Sequence, residues 1–169
     1  MCILKVFKGL NSYKDDNSVL DVLMYLISSQ YYAGYVLGNI TETGFVPIRI
    51  AEEFSAVHAT RNDMETKSKL HHFVLSLGDA GMSDQAIESL MIDVKNYFIK
   101  AHFQVFVVYH TGSDDSRYNP HLHVVINHCN LRGNLYYGND DCYIRLKDYF
   151  ARCTHKQWRY IWASDNDYE

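Results

Sequence analysis

The sequence predicts an α+β domain: a central antiparallel β-sheet with helices packed on its faces. Three observations carry this. Two apolar runs, Gln104–Tyr109 and His121–Asn127, flank a polar turn punctuated by Gly112, Asn119 and Pro120, which is a hairpin signature. Segments of helical period stand between segments of strand character along the chain. The 169 residues, 47% hydrophobic and 21% charged, suit one domain with a sizeable core.

In chain order, Cys2 to Lys8 reads as a short strand and Asn11 to Asn17 as a polar loop. Ser18 is a candidate N-cap for a helix over Val19–Ser29, with Asp21 where the dipole favours an acid. Val19, Leu20, Leu23, Leu26 and Ile27 form its apolar stripe, which leaves Tyr25 on a polar edge without a packing duty. Tyr35–Ile40 is a candidate strand, and Pro47 opens a helix that runs to about Arg61. Leu70–Leu77 is a strand with Phe73 and Leu75 on one face and His72, Val74 and Ser76 on the other. Ser83 caps a helix from Asp84 to Lys100 whose buried stripe is Ile87, Leu90, Met91, Val94 and Phe98. Beyond the hairpin, short strands are expected at Leu135–Tyr137 and Cys142–Ile144, around a Gly138-Asn139 turn. A helix is expected over Leu146–Trp162, so a single domain spans 1–162 and an acidic tail occupies 163–169.

The hairpin concentrates the chemistry. Alternation points His121 and His123 to one face with Val125 and Asn127, while Leu122, Val124 and Ile126 line the other. His110 ends the neighbouring strand and comes alongside. Three converging imidazoles can hold a divalent ion with coordination positions left open, as a catalytic metal site requires. A hydrogen-bonded surface cluster of histidines is the alternative, and a His-x-His pair is a weak motif alone. His71 and His72 point to opposite sides of their strand, so at most one reaches this spot, and neither is counted as a ligand.

A net charge of −4, from 16 basic and 20 acidic residues, argues against a broad non-specific DNA-binding surface but permits a local basic groove. Arg145, Lys147, Arg152, Lys156 and Arg159 supply one, interleaved with Tyr149, Phe150, Trp158 and Tyr160. Such interleaving suits a single strand, with cations on phosphates and rings on bases, although an amphipathic helix with a solvated face has the same pattern. Cys2, Cys129, Cys142 and Cys153 lack C-x-x-C spacing and read as reduced thiols. No apolar run reaches membrane-spanning length, and no membrane insertion is expected.

Assembled in order, these segments resemble the relaxase/mobilisation nuclease family, within the superfamily of single-strand DNA endonucleases named for their His-hydrophobe-His (HUH) motif. The resemblance rests on Met24-Tyr25-Leu26-Ile27 on the first helix and on the strand His72-Phe73-Val74-Leu75-Ser76. It is completed by His110 and Pro120-His121-Leu122-His123-Val124-Val125-Ile126-Asn127, similar to the family's metal-binding third motif. Order discriminates further. Rolling-circle initiators and single-strand transposases place the tyrosine after the His pair, whereas relaxases place it before, as Tyr25 stands here. Tyr143, Tyr149 and Tyr160 keep the other arrangement open. The pattern departs from the family at Gly112, where an acid commonly follows the first metal histidine, and after Tyr25, where Ser29-Gln30-Tyr31-Tyr32 lacks a lysine. Tyr31 and Tyr32 are therefore spare nucleophile candidates.

The resemblance implies that His110, His121 and His123 hold one divalent ion, Mg²⁺ or Mn²⁺ in the cell, with Zn²⁺, Ni²⁺ or Co²⁺ accepted in vitro. It implies that Tyr25 attacks the scissile phosphate of single-stranded DNA at a transfer origin (oriT), giving a 5′-phosphotyrosyl intermediate that can be rejoined. Ser76, Asp114, Asp115 and Asn127 would orient ligands or contact DNA. A non-catalytic DNA-binding module that kept the fold is the rival from another class. The implied setting is conjugative transfer of a plasmid or mobile element in the bacterial cytoplasm, by a monomer. Relaxosome accessory proteins and a type IV secretion coupling protein would be its partners.

Overall fold

The computed structural model describes residues 1–7, 13–78, 81–114 and 119–163. Its elements are β1 (Cys2–Phe7), α1 (Ser18–Ser28), β2 (Tyr32–Gly38), α2 (Pro47–His58), β3 (Leu70–Ser76), α3 (Asp84–Lys100), β4 (Val105–His110), β5 (His121–Asn127), α4 (Asp140–Thr154) and β6 (Trp158–Ala163). The strands form one sheet in the order β2-β4-β5-β3-β1-β6. All neighbours are antiparallel except β1 and β6, which run parallel, so the sheet is mixed and not wholly antiparallel as the sequence suggested. The predicted hairpin is its centre.

Each face of the sheet has its own apolar layer. On one, Leu122, Val124 and Ile126 of β5 meet Ile87, Leu90, Val94 and Phe98 of α3 and Tyr143, Leu146 and Phe150 of α4. On the other, Val125, Phe106 and Val108 meet Val19, Leu23 and Leu26 of α1 and Ile50, Ala51 and Phe54 of α2. A strand buried on both faces must be apolar at nearly every position, and β5 is so except for its histidines and Asn127. Gly38 ends β2 where α3 crosses. A Cβ there would come 2.6 Å from the Ile99 side chain, so glycine permits the close approach.

The structure departs from the sequence reading chiefly after residue 134. Leu135 makes only an isolated bridge to Cys129, and no strand covers Cys142–Ile144. Instead Asn139 caps α4, its Oδ1 accepting from the Cys142 backbone N–H at 3.0 Å, with Asp140 and Asp141 in the first turn. The helix expected to reach Trp162 ends at Thr154. His155 takes a left-handed conformation (φ 52°), and Trp158, Tyr160 and Trp162 then alternate along β6 against β1. Of the expected acidic tail, only Ala163 is described, as the end of β6. Smaller shifts move the second strand to Tyr32–Gly38 and end the second helix at His58.

Candidate metal centre

Pairing register builds the site. On antiparallel neighbours, directly opposed residues share a face, and β4 and β5 oppose His110 to His121 and Val108 to His123. The three imidazoles therefore meet at one end of the hairpin, with ring centroids 4.7–5.2 Å apart. One ring nitrogen from each lies within 4.8 Å of the others, close enough for a shared ion to draw all three together. His110 and His123 are buried and His121 is half-buried.

Two rings are held by main-chain carbonyls. His110 Nε2 donates to the Leu26 carbonyl at 2.8 Å and His121 Nδ1 donates to the Asn119 carbonyl at 2.7 Å. Each keeps its other nitrogen's lone pair for a ligand. Burial lowers the pKa of all three below the ordinary histidine range, so they stay neutral, the form that binds metal. A neutral, three-imidazole donor set in an open cavity fits a divalent ion with free coordination positions.

The cavity around these rings measures about 810 Å³ and also takes in Tyr25, Tyr31, Lys5, Phe7 and His72. Tyr25 stands on the solvent edge of α1, is 65% exposed, and sets its ring edge-on to His123 with centroids 6.4 Å apart. The apolar stripe of the same helix turns inward, as its periodicity predicts. Tyr31 reaches the cavity beside it, and Tyr32 opposes His110 across the β2–β4 pair. The downstream tyrosines lie elsewhere. Tyr143, Tyr149 and Tyr160 pack in or against the layer on the other face of the sheet, Tyr143 with 1% exposure.

The remaining expected residues divide. Ser76 opposes His121 on the same face, half-buried. Asp114 lines the cavity and accepts from Gln30 at 3.3 Å, whereas His110 takes its orientation from Leu26; Asp115 lies outside the described residues. Asn127 requires a correction. It ends β5 about 20 Å from His121 at strand rise. Fully buried, it bonds His58, Gln104 and the Cys129 amide, so it reaches neither DNA nor the triad. Of the expected cations, Arg145, Lys147 and Arg152 belong to α4, which packs on the face opposite the triad, and Lys156 lies just beyond that helix. Arg159 is exposed on β6 and aligns with Ile3 of β1, which in turn opposes Ser76, so it shares the triad's face.

Sequence reasoning passed over Lys5 and gave His72 no role. Lys5 opposes Val74 on the triad's face and lines the cavity. Its place follows from strand alternation on β1, but the partner strand cannot be read from sequence. His72 is 8% exposed and hydrogen bonds His123, ring to ring, at 3.0 Å.

One cavity on a mixed sheet thus brings together three histidines able to hold a metal ion and an exposed tyrosine. A relaxase family model, described as the MobA/VirD2-like nuclease domain, matches residues 34–157. The chain belongs to the relaxase family. The matched span holds the three histidines and begins after Tyr25. No curated protein matches the chain. Membership makes this a DNA-nicking, single-strand-binding nuclease domain. Among the described residues, no helix is long and apolar enough to cross a membrane.

Proposed function

We propose that this chain nicks and rejoins one DNA strand at a transfer origin of a mobile element, with Tyr25 as nucleophile and His110, His121 and His123 holding a divalent ion, Mg²⁺ or Mn²⁺ in the cell. The observation that carries the reading is the shared cavity: Tyr25 stands over the triad, while Tyr143, Tyr149 and Tyr160 pack on the other face. That separation favours the relaxase order over the initiator and transposase order.

When bound, the ion supplies charge against the non-bridging oxygens of the scissile phosphate. Tyr25 Oη forms the new bond to phosphorus in line with the departing 3′ oxygen, the old P–O bond breaks, and a 3′-hydroxyl leaves. Tyr25 is exposed, so its phenolic proton passes to water as that bond forms. The phosphotyrosyl ester keeps the phosphoester energy, so reversal by a 3′-hydroxyl rejoins the strand. Lys5 and Arg159, on the triad's side of the sheet, contribute positive charge toward the single strand. Conjugative transfer with accessory and coupling proteins, in a bacterial cytoplasm, is the setting we assign.

The test is incubation with Mn²⁺ and single-stranded oligonucleotides from the element that encodes the chain, followed by denaturing gels and peptide mass mapping. The expected product is a DNA adduct on Tyr25 that is absent in His121→Ala and in Tyr25→Phe. An adduct on Tyr31 moves the nucleophile within the same cavity. One on Tyr143, Tyr149 or Tyr160 overturns the assignment. Metal binding without cleavage of any strand supports a DNA-binding module instead.

A further inference from the structure

We propose that His72 is a positioning residue that fixes the ring tautomer of His123 and so makes it a metal ligand. The inference rests on the metal reading above. Two members of the triad have their protons placed by main-chain carbonyls, which only accept: Leu26 for His110 and Asn119 for His121. His123 is different. Its Nδ1 faces another ring nitrogen, Nε2 of His72, at 3.0 Å, and an imidazole nitrogen can donate or accept.

The pair therefore has two arrangements. If His72 donates, His123 carries its own proton on Nε2, and neither of its nitrogens has a lone pair to give an ion. If His123 Nδ1–H donates, its Nε2 is free to ligate and His72 carries its proton on Nδ1. That Nδ1 stands 3.3 Å from the hydroxyl oxygen of Tyr13, which can accept it. The second arrangement forms a chain running from His123 through His72 to Tyr13, and it alone completes the triad.

The sheet imposes the contact. His72 opposes Val125 and His123 opposes Val74 across the β3–β5 pair, so the two rings are diagonal neighbours on one face, with centroids 5.2 Å apart. Metal-bound histidines commonly donate to a carboxylate, a main-chain carbonyl or water. A buried imidazole here accepts the same hydrogen bond without adding negative charge. Gly112 stands two residues after His110, in a cavity whose described acid, Asp114, is engaged by Gln30, and the rings are oriented without it.

Calorimetric titration of Mn²⁺ into the unaltered chain, His72→Leu and His72→Gln tests this, with thermal melts of the metal-free proteins alongside. Leucine cannot accept the bond, whereas the glutamine amide oxygen can. The expected result is Mn²⁺ affinity weakened about 10–100-fold in His72→Leu at a near-unchanged melting temperature, and substantially restored in His72→Gln. Affinity within twofold of the unaltered chain in His72→Leu overturns the inference and leaves the metal reading intact. Absence of Mn²⁺ binding in the unaltered chain overturns both. Imidazole ¹⁵N NMR of the unaltered, Zn²⁺-loaded chain decides without any variant. Coordination through His123 Nε2 with a proton on Nδ1 is expected, and coordination through Nδ1 contradicts it.

Discussion

Two groups of histidines occupy opposite ends of β5, and they have opposite characters. At the His121 end, three rings turn unspent nitrogens toward one another in an open cavity beside Tyr25. At the Asn127 end, the rings bond one another and a buried amide. His58 Nε2 donates to Asn127 Oδ1 at 2.7 Å, and His71 and His128 share a ring–ring hydrogen bond at 2.7 Å. Asn127 passes its own protons to Gln104 at 2.8 Å and to the Phe54 carbonyl at 3.4 Å. Residue type is the same at both ends. What differs is convergence: among the described residues, only His110, His121 and His123 bring one ring nitrogen each within 4.8 Å of the others, where a single ion can be shared.

The sharpest way to break this comparison is to remove a ring at each end. His123→Ala should abolish Mn²⁺ binding and slow nicking by at least about 10³-fold, since several kcal/mol of charge stabilisation go with the ion. Its fold should survive, as judged by circular dichroism. Nicking within tenfold of the unaltered chain would move the ion elsewhere. Asn127→Ala should do the reverse. It strands buried partners in His58, Gln104 and the Cys129 amide, for a loss of about 2–4 kcal/mol in chemical denaturation. Mn²⁺ affinity of the folded fraction should be unaltered.

Acid should act next, on the buried histidines of both ends in the metal-free chain. Burial pushes His71 down to about 3 and His128 to about 4, while unfolded histidines titrate near 6.5. Between those values the unfolded chain binds protons that the folded chain refuses. Stability is therefore full above pH 6.5 and is lost as pH falls toward 4. Melting temperature should drop steadily over that window, and a flat profile would mean that these rings are not buried as neutral groups. The smallest effect belongs to Lys5→Ala. Single-strand affinity should fall a few-fold, with the slope of log K against log salt reduced by about 0.7 for the lost phosphate contact. Arg145→Ala, on the opposite face, should leave that slope unchanged.

Much of this was readable in the sequence because strand alternation is local. His121 and His123 share a face by spacing alone, Tyr25 falls outside the apolar stripe of α1 by period alone, and α3 begins at Asp84 after a serine whose hydroxyl accepts from the Ala86 N–H. The misread segments are those where partners arrive from far along the chain. Trp158-Arg159-Tyr160-Ile161-Trp162 carries a two-residue period, yet its strand character is realised only by pairing with β1 at the other end of the sequence. Asn139-Asp140-Asp141 is a helix start that a neighbouring glycine disguised as a turn. The same non-locality hid the site's support. His72, Lys5 and the Leu26 carbonyl reach the triad from β3, β1 and α1, and no spacing within those segments announces it. Asn127 shows the converse error: a motif position suggested a contact with DNA that its burial forbids.

The central claim, that the converging histidines at the His121 end are a metal centre and those at the Asn127 end are not, is tested most directly by a crystal of the chain soaked in Mn²⁺ and measured at the manganese edge. The account predicts one anomalous peak bounded by His110, His121 and His123, beneath the Tyr25 ring. A peak between His71 and His128, or none at the triad with Mn²⁺ in excess, would contradict it.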